Sequence, residues 1–169
     1  MSAKKTTAPK SDDFESLSEL ELSLTILWNS VKRWMNQRSK EGELNGLSDL
    51  DVFLMHLLVY RDRQLRANDL AFALSIDDMH LVSYSLKKLV RIEAIPSTKI
   101  GKEVFYKADE KAKRHYREFL DDRKRFLEPA LKHLSYGDYD LESLAQLLRA
   151  LSGVYEQAAR TAASSKSPE

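Results

Sequence analysis

From Leu17 onward the apolar residues fall at Leu17, Leu20, Leu24, Leu27, Val31 and Trp34, in alternating steps of three and four. That is the seam spacing of helices that pack along their length. Leu22, Ile26, Trp28 and Met35 widen the apolar surface well beyond one stripe, so the pattern predicts a first helix over 15–41 with more than one neighbour, a second subunit among them. Gly42 and Gly46 end it. Ser48 and Asp51 then have the form of a capping box, and Leu50, Phe53, Leu54, Leu57 and Leu58 continue a second helix to about Tyr60. Near the far end, Leu141, Leu144, Leu148, Leu151, Tyr155 and Ala158 repeat the three-four rhythm of the first helix. Such seams serve as core within one chain or as an interface between chains. Two that match at opposite ends favour a homodimer held by Leu17, Leu20, Leu24, Leu27, Val31, Leu144, Leu148, Leu151 and Tyr155.

Between these helices the pattern changes. Gln64 to Arg66 is short enough for a single strand, and Asn68 is placed to cap a short helix over 69–74 with Leu70, Ala71 and Leu74 inward. A turn at Ser75, Ile76 and Asp77 leads to another helix, capped by Asp77 or Asp78. At about 100° per residue, Val82, Ser85, Leu86 and Leu89 share one side of that helix. His80, Tyr84, Lys87 and Arg91 lie opposite, flanked by Ser83 and Lys88. A period-two segment follows over 95–99, with a tip at 100–102 containing Gly101, and then Val104, Phe105 and Tyr106: a β-hairpin. From Asp109 a charged helix runs through Ala112, Tyr116, Phe119, Leu120, Phe126 and Leu127. Pro129 predicts a kink or a short break before 130–134, and 136–140 reads as a turn.

Composition narrows the chemistry. The 169 residues are 43% hydrophobic, enough for one core, and only 5 Gly and 4 Pro against 31% charged residues favour helix. The polar ends, 1–13 and 161–169, are expected to be loose tails around a single domain over 14–160. No cysteine is present, which excludes disulfides, thiolate nucleophiles and sulfur-ligated metals. No apolar run is long enough to span a bilayer and 1–10 has no apolar leader core, so a cytoplasmic protein without a membrane partner is expected. His56 reads as a partly buried core histidine; His115 and His133 have no partner at a metal-binding spacing. With no phosphate-cradling Gly loop, nucleophile elbow or paired-carboxylate motif, the chain offers no catalytic residues, no cofactor and no metal site, and is read as not an enzyme.

Overall charge is nearly balanced, 27 Lys plus Arg against 26 Asp plus Glu, so any polyanion affinity must come from segregation. The stretch 61–107 supplies it, with nine basic residues against six acidic. An α-helix with a polar, basic outer face fits a B-DNA major groove, where Lys and Arg reach guanine acceptors and Tyr a phosphate or thymine methyl. Met79, His80, Ser83, Tyr84, Lys87, Lys88 and Arg91 are the candidates there, with Arg66 nearby and Lys99 and Lys102 on the hairpin for the flanking backbone or minor groove.

The string Leu70-Ala71 through Leu74, then Val82-Ser83-Tyr84-Ser85-Leu86-Lys87-Lys88-Leu89, with Ala94-Ile95 entering a hairpin, resembles the winged helix-turn-helix of the MarR family of bacterial transcription regulators. The flanking helices extend the resemblance over most of 17–159. It implies a mainly α fold: a winged helix-turn-helix, with a three-helix core and small β-hairpin wing, over about 47–107, and long N- and C-terminal dimerisation helices over about 15–41 and 109–160. It also implies a homodimer on double-stranded DNA carrying a pseudo-palindromic operator, and a small-molecule effector, for which Trp28, His56 and Tyr60 are the candidate pocket. The sequence departs from the family in its acidic Asp77-Asp78 start and in a short wing without the Asp-x-Arg-Arg signature. Those departures keep open an alternative, a winged-helix protein-interaction module that has lost DNA binding.

Overall fold

The computed structural model describes residues 12–38, 45–131 and 140–164. Its order is α1 (Asp12–Arg38), α2 (Asp49–Arg61), β1 (Leu65–Arg66), α3 (Ala67–Ala73), α4 (Met79–Arg91), β2 (Ser97–Ile100), β3 (Glu103–Tyr106), α5 (Glu110–Asp122), a π-helical turn (Arg123–Leu127), α6 (Glu128–Leu131) and α7 (Leu141–Ser164). The chain falls into two compact units, one ending at Arg123 and the other beginning at Lys124.

The first unit holds the core. Leu54, Met55 and Leu58 of α2, Leu70 of α3 and Val82, Leu86 and Leu89 of α4 are fully buried, joined by Ala94, Ile95, Ala112 and Phe119. Met35 anchors the end of α1 to this cluster, with Val31 and Trp34 beside it. Trp28 stacks on Phe53 with ring centres 5.6 Å apart.

Local chemistry sets the helix ends. In α2 the capping box forms as the sequence predicts: Ser48 Oγ accepts from the Asp51 N–H, and Asp51 Oδ2 accepts from the Ser48 N–H at 2.8 Å. For α3 the sequence misplaces the start. The helix begins at Ala67, not after Asn68, because the Asp69 carboxylate reaches back to the Arg66 N–H at 3.0 Å and satisfies the first turn from inside. Both helices of the pair then close in the same way. Ser75 and Glu93 adopt left-handed φ values of 50° and 55°. The next residues, Ile76 and Ala94, donate to the Ala71 and Leu89 carbonyls at 2.9 Å, as in a Schellman motif.

The sheet is antiparallel in the order β1-β3-β2, with Leu65 opposite Tyr106 and Ser97 also opposite Tyr106. Gly101, at φ 62°, opens the two-residue hairpin turn that Lys102 completes. Asp109 caps α5 by accepting from the Ala112 N–H at 2.9 Å.

In the second unit, the disturbance expected at Pro129 lies upstream of it. The missing proline N–H deprives Arg125 of its usual helical partner, and the chain takes a π turn over Arg123–Leu127 before α6. α7 continues past residue 160 to Ser164 through the strong helix formers Ala162 and Ala163. It leaves Leu141, Leu144, Leu147, Val154 and Tyr155 exposed. The expected turn over 136–139, His133 and most of both tails lie outside the described residues.

Candidate nucleic-acid interface

The candidate surface is built on α4. Its N-terminus is capped by Asp78, whose Oδ1 accepts from the His80 N–H at 2.9 Å and the Leu81 N–H at 3.3 Å. Half of the acidic start is thereby a helix cap. Burial of Val82, Ser85, Leu86 and Leu89 turns the opposite side to solvent, and His80, Tyr84, Lys87 and Arg91 are all exposed, Tyr84 by 70%. Among the described residues neither Lys87 nor Arg91 has an ion-pair partner. Leu81, also exposed on α4, escaped the sequence reading because a leucine in an amphipathic helix is ordinarily assigned to the core. Lys99 and Lys102 are exposed on the hairpin, together with Ile100 and Val104.

Three sequence candidates have other partners. Met79 is half-buried and packs against the core. Lys88 turns inward: its Nζ donates to Asp51 Oδ2 at 2.5 Å and to the Gly46 carbonyl at 2.9 Å. Arg66 is held between Asp69 (Nη2 to Oδ1, 2.9 Å) and Glu103 (Nη1 to Oε1, 2.8 Å), which ties the start of α3 to the hairpin strand β3. Hydrogen bonds from Arg66 hold the Asp69 carboxyl down at about 2. Ser83 is half-buried at the edge of the outer face.

The three residues of the expected effector pocket have different neighbours. Trp28 lines a cleft of about 330 Å³ with Asp49, Leu50, Phe53, Leu74 and Ile76. His56 faces α5, its ring 4.9 Å from Tyr116, 4.8 Å from Phe119 and 5.7 Å from His115. Tyr60 is 74% exposed and sits beside the Arg61 guanidinium. Trp28 lies on α1 and packs against Phe53, whereas His56 and Tyr60 lie on α2, His56 against α5 and Tyr60 towards solvent.

Among the described residues no three His, Asp or Glu side chains converge as a metal site, and no helix is long and apolar enough to cross a membrane.

Residues 47–112 match the family of winged helix DNA-binding domains. In structure the chain is similar to a MarR family regulator from Neisseria meningitidis, at 16% identity with a TM-score of 0.67, covering 86% of this chain and 97% of that one. It is similar also to the transcriptional regulator BldR from Sulfolobus solfataricus, at 16% identity and TM-score 0.65, covering 84% and 99%. A third similar structure is Streptococcus pneumoniae FabT in complex with DNA, at 15% identity and TM-score 0.59, covering 86% and 99%. No curated protein matches the chain in sequence. With α3 and α4 as its helix pair and β2–β3 as its wing, the chain has a winged helix domain and the fold of the MarR family regulators.

Proposed function

We propose that the protein is a transcription regulator that acts as a homodimer on a pseudo-palindromic operator. Each subunit lays α4 in a major groove, with His80, Tyr84, Lys87 and Arg91 towards the bases and phosphates and Ser83 at the margin. The observation that carries this reading is the division of α4 into a fully buried side and an exposed face that presents Lys87 and Arg91. Lys99 and Lys102 on the hairpin reach the neighbouring backbone. Exposed leucines on α1 (Leu17, Leu22, Leu27) and on α7 (Leu141, Leu144, Leu147) supply apolar surface for the partner subunit. The cleft beside Trp28, walled by Leu74 and by Ile76 of the turn that leads into α4, is where an apolar effector would couple to DNA reading.

Lys87→Ala and Arg91→Ala should each weaken binding by about 1 to 3 kcal/mol in a mobility-shift assay if they read bases. Affinity should also fall steeply with salt, since each neutralised phosphate releases counterions. Unchanged affinity in both variants would remove α4 from the interface.

A protein-interaction module is the second reading, and Phe72 of α3, 89% exposed, favours it. Binding to mixed DNA at low salt, lost at high salt, separates the two.

A further inference from the structure

We propose that Asp51 and Lys88 are positioning residues for DNA reading: the Asp51 carboxylate grips Ser85 and Lys88 and fixes the rotation of α4, so Lys88 serves the interface without touching DNA. This inference rests on the DNA-reading function proposed above.

The grip is built from both helices. Asp51 is the third residue of α2, 1% exposed, in the turn where the helix dipole favours an anion. It accepts from the Ser48 N–H, from the Ser85 hydroxyl and from Lys88 Nζ, while Lys88 also donates to the Gly46 carbonyl before α2. Burial alone would raise the Asp51 pKa, but the hydrogen bonds from Lys88, Ser85 and Ser48 together bring it below the ordinary value, so the group is charged in the fold.

Ser85 and Lys88 are one turn apart on α4. The short Ser85 hydroxyl and Lys88, which is also tied to the Gly46 carbonyl, together restrict the rotation and axial position of the helix. The rest of its buried side is aliphatic, and such surfaces tolerate small rotations before they lose stability. Directional bonds do not. About 100° of helix separates neighbouring residues, so a rotation of a fraction of that would carry Tyr84, Lys87 and Arg91 off the base edges.

The test compares the best sequence recovered from a random DNA pool with mixed-sequence DNA, at several salt concentrations, for the wild-type chain, Lys88→Met and Asp51→Asn. Thermal melts establish which variants are folded. The expected result is a fall of about tenfold or more in the ratio of specific to non-specific affinity for both variants. Lys88→Met should leave the salt slope unchanged, and Asp51→Asn, which frees Lys88 and adds net positive charge, should bind mixed DNA no more weakly than wild type. A salt slope reduced by about one in Lys88→Met would make Lys88 a phosphate contact and overturn the inference. So would an unchanged ratio. Should Asp51→Asn fail to fold, Lys88→Met decides, because it leaves Asp51 its Ser48 and Ser85 donors. A wild-type chain without sequence preference would refute the DNA reading instead; amide exchange then decides the grip, which requires faster exchange in α4 than in α5 of folded Lys88→Met and fails if α4 is unchanged.

Discussion

Lowering the pH from 7 to 5 should cost the folded protein about 2 kcal/mol through His56 alone. Burial among Tyr116, Phe119 and His115 lowers the His56 pKa to about 3, with repulsion from His115 and Arg123 adding to the effect. Among the described residues, neither His56 Nε2 nor His115 Nδ1 has a hydrogen-bond partner. Above the unfolded value of 6.5 both states are neutral and the packing is fully effective. Below it the unfolded chain takes up a proton that the folded chain refuses, so stability falls steadily as pH drops towards 3. Burial also lowers the pKa of His115, against a smaller raising effect from Glu118, which steepens the loss. Asp51 acts in a lower window, since a depressed carboxylate loses its contribution only as the pH falls below 3.8 and through its folded pKa. Urea unfolding at pH 7 and pH 5 measures the effect, and His56→Phe should flatten the dependence between those values. A wild-type stability independent of pH over that range would contradict the assignment.

Leu86→Ala should destabilise the protein by about 3 kcal/mol. Leu86 is fully buried at the centre of the α4 packing side, with Val82 and Leu89 a turn away on either side and no solvent to fill a void. The loss combines the transfer of the missing methyl groups with a cavity that close-packed neighbours fill only in part. Against a total of about 5 to 15 kcal/mol for a domain, it is a large fraction. The midpoint of urea unfolding should drop with the slope unchanged. Phe72→Ala, at a site 89% exposed, should stay within about 0.5 kcal/mol. A Leu86→Ala loss below about 1 kcal/mol would mean that α4 does not pack as described.

What the sequence disclosed follows from how local each signal is. The division of α4 needs only helical periodicity, and Val82, Ser85, Leu86 and Leu89 are buried as that periodicity requires. The Ser48 capping box and the Gly101 turn are equally local. The bond from Lys88 to Asp51 is not legible in the sequence because the two residues are distant along the chain, and a long side chain at the border of two faces goes wherever tertiary structure offers a carboxylate. Arg66 stands out in the sequence by its charge alone, and Glu103 reaches it only once β3 pairs with β1. The neighbours of Trp28 on α2 and of His56 on α5 are likewise tertiary contacts that no local spacing reveals.

The central claim is that two copies of α4 read DNA together. Selection of bound fragments from a random duplex pool tests it most directly. The account predicts an enriched inverted repeat whose half-sites lie about one duplex turn apart, roughly 34 Å, with enrichment lost when Lys87 and Arg91 are replaced by Ala. A pool that shows no enrichment, or one unpaired element retained by the doubly substituted protein, would contradict it.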